Sequence, residues 1–166
     1  MTKLPEKLFS KIIFEGETPT MKKLAREYPF TYHLEVEFRH LDPMGHVNNA
    51  VFFTYMESAR VRYFTKFFEL GTSPLDMPLI LAEASCTYKS PAYFGEELTV
   101  GVAITEFGNR SFRMAYRIDG DEDRLIARGT TVIVMYDYSV GRSVPVPEEF
   151  KQAVHAFQKD WRLLSE

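Results

Sequence analysis

The segment Arg39-His40-Leu41-Asp42-Pro43-Met44-Gly45-His46-Val47-Asn48-Asn49 gathers one carboxylate, two imidazoles and two carboxamides within a few positions. It stands between a strand pattern and a helix pattern, so its end is expected at a helix N-terminus. Such an end presents unpaired backbone N–H groups and partial positive charge. These suit an oxyanion or a polarised carbonyl oxygen. Asp42, a few residues upstream, is placed to act as a general base on water or as a nucleophile. The same residues also have a plainly structural reading. Asp42 ahead of Pro-Met-Gly is a common turn residue, and Asn48 and Asn49 are good helix N-caps. Residue types alone leave both readings open.

The flanking elements follow from periodicity. Leu34, Val36 and Phe38 alternate with Glu35, Glu37 and Arg39, the two-residue period of a half-buried strand. A long helix is expected over about residues 50–70, closed by Gly71. Thr54, Ser58, Arg62, Thr65 and Glu69 form its narrow polar stripe, and most other positions are apolar, among them Phe52, Phe53, Tyr55, Tyr63, Phe64, Phe67 and Phe68. Arg60 projects to the apolar side and needs a partner. Glu57 stands at the helical spacing to supply one.

Four strands are then expected. Residues 79–88 read as a central strand. Residues 98–105 and 112–118 alternate on either side of a turn at Phe107-Gly108-Asn109-Arg110, and residues 124–136 form the longest strand, with Val132, Val134 and Tyr136 on one face. Connections too short for helical crossovers argue antiparallel pairing. A tail helix begins near Pro147, with an apolar stripe of Phe150, Val154, Phe157, Trp161 and Leu164. The expected class is α+β: an antiparallel sheet of about five strands wrapped around one long helix, with a C-terminal packing helix.

Composition narrows the functions. The chain has 166 residues, the size of one domain. Residues 1–30, broken by Pro5, Pro19 and Pro29, read as an arm, 31–147 as the main domain and 148–166 as its packing helix. A net charge of −3 offers no basic field for nucleic acid or an anionic membrane surface. The single cysteine, Cys86, excludes an internal disulfide and a cysteine-based zinc site, and is read as a small core hydrophobe. No apolar run reaches the roughly 18–20 residues that a spanning helix needs. A soluble, cytoplasmic protein without membrane insertion is expected. Aromatic residues make up 14% of the chain, which implies a large apolar core, a greasy ligand tunnel, or both.

The stretch from Asp42 to Arg60, Asp-Pro-Met-Gly-His-Val-Asn-Asn followed by Tyr55 and Glu57-Ser-Ala-Arg60, resembles the hotdog-fold acyl-CoA thioesterases of the 4-hydroxybenzoyl-CoA thioesterase superfamily. The resemblance continues through Tyr88-Lys-Ser-Pro91, Gly95-Glu-Glu-Leu98 and Gly108-Asn-Arg-Ser111. It implies the hotdog fold and hydrolysis of an acyl-CoA, with coenzyme A as part of the substrate and no metal or organic cofactor. By the same resemblance Asp42 is the catalytic carboxylate, the Asn49 backbone N–H holds the thioester carbonyl oxygen, and His46 gives catalytic support. Met44 stands where plant acyl-carrier-protein enzymes have Asn, so their Asp–Asn–His arrangement is incomplete here. Glu57 is a second candidate catalytic carboxylate, because other hotdog thioesterases carry theirs on the helix. Asn48, Phe53, Tyr88, Lys89, Arg110 and Ser111 are expected near the acyl or CoA end. The resemblance further implies a homodimer or homotetramer with each site at a subunit interface. The alternatives are a non-catalytic acyl-CoA-binding protein and a hotdog hydratase or dehydratase.

Overall fold

The structure is a computed structural model that describes residues 24–69, 77–159 and 161. Strands β1 (Phe30–Glu35), β2 (Leu79–Tyr88), β3 (Glu97–Phe107), β4 (Ser111–Asp119) and β5 (Leu125–Asp137) form one antiparallel sheet in the order β1-β3-β4-β5-β2, with the short β6 (Arg142–Ser143) on β5. Helix α1 (Val51–Phe64) lies across one face, and α2 (Glu148–Gln158) packs beside it. This is the expected wrapped-sheet architecture.

The strand periodicity explains the core. Val100, Val102 and Ile104 of β3 and Phe112, Met114, Tyr116 and Ile118 of β4 are buried with Met56, Ala59, Tyr63 and Phe64 of α1. On β5 the α1-facing row is Ala127, Gly129, Thr131, Ile133 and Met135, opposite in phase to Val132, Val134 and Tyr136. Gly129 is the point of closest approach, because a Cβ there would collide with the Met56 sulfur. Phe67, Phe68, Phe107 and Phe112 pack their rings around Phe150 of α2. Much of the aromatic excess therefore fills the core.

Several sequence expectations are corrected. The first strand ends at Glu35 rather than running to Arg39. Val36 keeps its ladder bonds, donating to the Glu96 carbonyl at 2.9 Å, but Phe38–His40 then turn as a 3₁₀ segment and leave Phe38 79% exposed. Helix α1 stops at Phe64, short of residue 70. The Thr65 hydroxyl donates to the Arg62 carbonyl at 2.7 Å, and the Lys66 N–H turns back to the Tyr63 carbonyl in a tighter, three-residue step. The expected stop at Gly71 lies outside the described residues. The N-cap is Ala50, without a side-chain bond; Asn48 instead accepts the Ala50 N–H on its Oδ1 at 2.9 Å.

The strand read as central, β2, is an edge of the sheet. It pairs with β5 alone, and Leu81 is 47% exposed. In the tail, Pro147 is the N-cap rather than a first-turn residue, and the helix ends at Gln158. Trp161, past that end, stacks on Tyr28 at 5.2 Å, while Leu164 lies outside the described residues. Residues 1–23, most of the expected arm, also lie outside them. Residues 25–28 cover Gly101 of β3, where any Cβ would crowd the Ala25 carbonyl and the Tyr28 ring.

Candidate active site

Asp42 opens a closed loop. Its N–H donates to the His46 carbonyl and its carbonyl accepts the Gly45 N–H, both at 3.0 Å. Its Oδ1 accepts the Met44 N–H at 2.8 Å, an Asx turn. Gly45 takes φ +83°, a conformation that favours glycine. The loop is tied down at its far side. The Val47 N–H donates to the Ala92 carbonyl and the Asn48 N–H to the His40 carbonyl, each at 2.9 Å. With Oδ1 engaged by the backbone, Oδ2 is turned to the His46 ring, whose Nδ1 stands 3.5 Å away. The Asp42 side chain is 13% exposed, so the carboxylate is sheltered but reachable.

Asn49 follows directly. The Ala50 and Val51 N–H groups are accepted by Asn48, on its Oδ1 and carbonyl respectively, but among the described residues nothing accepts the Asn49 N–H. The Asn49 carbonyl is held by the Tyr88 hydroxyl at 2.8 Å. That phenol is pushed up to about 12, chiefly by burial, so it remains a donor at neutral pH. Tyr88 ends the edge strand and rests on Phe52 of α1 at 5.3 Å. It thus links β2 to the start of the helix. The residues after it form a corner that supports the loop. Both the Lys89 and Ser90 N–H groups bond the Ile126 carbonyl, and Arg124 binds Ser90, the Pro91 carbonyl and buried Glu96.

Glu57 has a different setting. It lies two helical turns beyond Asn49, 64% exposed, and its Oε1 stands 3.6 Å from Arg60 Nη2. The Arg60 guanidinium is buried as expected, but its inner neighbour is the Tyr116 hydroxyl, which also bonds Thr131 at 3.0 Å. The ion pair with Glu57 is therefore loose, and the polar contact in the core is Tyr116. Phe53, Glu57 and Arg60 of α1, Leu81 and Ala84 of β2 and Thr131 of β5 line a groove of about 220 Å³.

The sequence candidates thus fall into three groups, Phe53 and Glu57 being those on the groove. Asp42, His46, Asn48, Asn49, Tyr88 and Lys89 share one end of the sheet. Arg110 and Ser111 do not join them. Ser111 pairs with Val134 of β5, whereas Tyr88 pairs with Ala127. Seven strand positions separate these pairs, about 23 Å at the usual rise. Arg110 is engaged locally, donating to the Ser143 carbonyl at 2.8 Å. Cys86 sits half-buried on the edge strand, packed against the core as a small hydrophobe, and burial pushes its thiol up to about 11, which suits an inert side chain. Among the described residues no cluster of His, Cys, Asp or Glu could hold a metal ion, and no helix is long and apolar enough to cross a membrane.

Sequence reasoning missed Ala92 and Arg124, and quoted Glu96 in the Gly95-Glu-Glu-Leu98 passage without seeing its bond to Arg124. Their roles run through backbone carbonyls and a bond across the sheet, which leave no local signature. It also passed over His40 and Tyr55, whose side chains meet at 2.9 Å.

Residues 36–154 match the sequence model of the family described as the thioesterase-like superfamily. A thioesterase of Thermus thermophilus, solved in complex with coenzyme A and Zn, is 34% identical, with a TM-score of 0.70 over 79% of this chain and 95% of that one. A 1,4-dihydroxy-2-naphthoyl-CoA thioesterase from Synechocystis is 26% identical, with a TM-score of 0.67 over 75% and 94%. An uncharacterized Bacillus subtilis protein, YsmA, is 27% identical over 127 residues, 76% of this chain and 86% of its own.

Proposed function

The chain belongs to the thioesterase-like superfamily, whose hotdog fold it shares, and from that premise we propose that it hydrolyses an acyl-CoA thioester to a carboxylate and CoA. One observation carries this reading. A sheltered carboxylate and an unpaired helix-entry N–H are built into the same closed loop, within eight residues of chain. The Asn49 N–H polarises the thioester carbonyl and takes the charge that grows on its oxygen. Asp42 Oδ2 either removes a proton from water as it attacks the carbonyl carbon, or attacks that carbon itself. The C–S bond breaks, CoA leaves as its thiolate and takes up a proton. In the nucleophilic route water then opens the acyl-carboxylate anhydride and restores Asp42. His46, beside the carboxylate, orients it. The groove beside Phe53 and Leu81 receives the acyl group.

The proposal includes a second copy of the chain. The outer edge of β2 is free among the described residues and carries exposed Leu81. Antiparallel pairing of two such edges about a two-fold axis sets the Leu79 end of one against the Tyr88 end of the other. The sheet end that carries Arg110 and Ser111 in one copy then approaches the Asp42 end of the next. In such a pair the Arg110 guanidinium is the group we assign to the CoA phosphates.

The test is free-thiol release from a panel of short, long and aromatic acyl-CoA substrates by the purified protein, with its mass in solution measured alongside. Turnover of at least one class supports the reading. Tight CoA-ester binding without thiol release replaces it with a carrier, and water addition to an enoyl-CoA without hydrolysis replaces it with a hydratase.

A further inference from the structure

We infer that His40 is a positioning residue for this site, a clamp that sets Asp42 relative to the Asn49 N–H. The inference rests on the thioesterase reading above. Its ring stands on the side of α1 that lines a separate open cleft of about 530 Å³, with Glu37, Phe38, Tyr55 and Phe94 among its walls. His40 Nδ1 accepts the Glu37 N–H at 3.0 Å and faces the Tyr55 hydroxyl at 2.9 Å. The Glu37 N–H donates to Nδ1, so that nitrogen carries no proton, and the Tyr55 hydroxyl meets it from the helix side. Tyr55 is a dependable donor. It is 3% exposed, and burial together with nearby Glu37 holds its phenol well above the ordinary range.

The backbone of the same residue completes the clamp. The His40 carbonyl accepts the Asn48 N–H, so the two ends of the Asp42 loop meet at His40. The side chain therefore fixes the loop to the first turns of α1, while the carbonyl fixes where Asn49 begins. Tyr88 grips the Asn49 carbonyl from the other side of Phe52, whose ring touches both tyrosines at 5.8 Å and 5.3 Å. The carboxylate and the N–H are thus held at a set spacing by two tyrosines on one aromatic wedge. Ångström-scale misplacement of reacting groups costs about 10²-fold in rate.

The experiment measures kcat and KM for thiol release in His40→Ala, His40→Asn, Tyr55→Phe and the His40→Ala/Tyr55→Phe double variant, each beside its melting temperature. His40→Ala is expected to lower kcat by roughly 10–100-fold with KM within about threefold, as expected for a lost spacing rather than lost binding. Asn offers an oxygen where Nδ1 stood, so His40→Asn should return kcat to within about threefold of the wild type. Tyr55→Phe should add nothing to His40→Ala, since both remove one contact. A folded His40→Ala protein with kcat within twofold of the wild type overturns the clamp, as does an Asn variant no better than Ala. If His40→Ala does not fold, His40→Asn and Tyr55→Phe decide the matter in the same way. A wild-type protein that releases no thiol from any substrate overturns the thioesterase reading itself.

Discussion

Replacing Asp42 separates the chemical role of its carboxylate from its structural role, because the two oxygens are engaged differently. Oδ1 accepts the Met44 N–H at 2.8 Å and shapes the turn. Oδ2 faces His46 Nδ1 at 3.5 Å, and this is the oxygen assigned to water or the thioester. Asn keeps a carbonyl oxygen for Met44 but gives up the charge and the basicity. Ala gives up both. A hydrogen bond to a charged acceptor contributes about 1.5–3 kcal/mol, and a neutral one about 1 kcal/mol. Asp42→Asn should therefore cost roughly 1 kcal/mol of stability and Asp42→Ala roughly 2 kcal/mol, or about 2–4 °C and 4–8 °C in melting temperature for a chain of this size. The pairing with His46 adds little, since it is long and partly solvated. Both variants should lose the same large factor in kcat, about 10²–10⁴, equivalent to some 3–5 kcal/mol of barrier. The assay is thiol release at saturating acyl-CoA beside a thermal melt of each protein. If Asp42→Asn retains kcat within threefold, the carboxylate is neither base nor nucleophile. If it melts as early as Asp42→Ala, the account of the turn is wrong.

Asp119→Ala should be among the most damaging single changes away from the site. Its carboxylate takes the Arg117 Nε–H on both oxygens, at 2.7 and 2.9 Å, and the Ala25 N–H at 2.7 Å, so removal breaks a buried ion pair and costs about 3–5 kcal/mol, read as a melt some 6–20 °C lower; a loss under 1 kcal/mol would contradict that burial. Cys86 should alkylate slowly: with its thiol near 11, about one molecule in a thousand is thiolate at pH 8, roughly 10² fewer than for a free cysteine, and the rate should climb as pH rises towards 11. Iodoacetamide labelling at the rate of a free thiol would refute it.

The middle of the sheet was legible because β3, β4 and β5 alternate cleanly and are separated by turn residues that announce themselves, Gly108-Asn109 and Gly120. The Asp42 loop was legible for a similar reason, since a carboxylate, Gly45 and paired asparagines ahead of an apolar run leave few other structures. The ends of elements were not. Alternation continues through Phe38 in the sequence, yet the Glu37 N–H finds the His40 ring instead of a strand partner, and the ladder stops. The helical pattern likewise runs on through Phe67 and Phe68, whose rings serve Phe150 from a turn as well as they would from a helix. In both cases a side chain competes with the backbone pattern for the same N–H or carbonyl. The partition of site residues between the two ends of the sheet was also hidden, because it depends on which strands pair and in what register.

The misreading of β2 bears most on function. An apolar run such as Leu79-Ile80-Leu81-Ala82 suggests a strand covered on both sides, yet in one chain it forms an open edge. Exposed apolar edges invite pairing, and natural proteins block them with charge, proline or a covering element. Here Glu83 alone interrupts the run, beside a bulge that bends the strand. The same edge forms one wall of the groove whose other wall carries Phe53 and Glu57. Whatever covers β2 therefore also borders that groove. A second copy explains both observations at once: it accounts for the apolar strand and supplies the cationic sheet end that a single chain keeps about seven strand positions, roughly 23 Å, from its own Tyr88. On this argument a charge placed at Leu81, such as Leu81→Lys, should yield a folded monomer that releases thiol at least tenfold more slowly, and a monomer of unchanged kcat and KM would show that one chain makes a complete site.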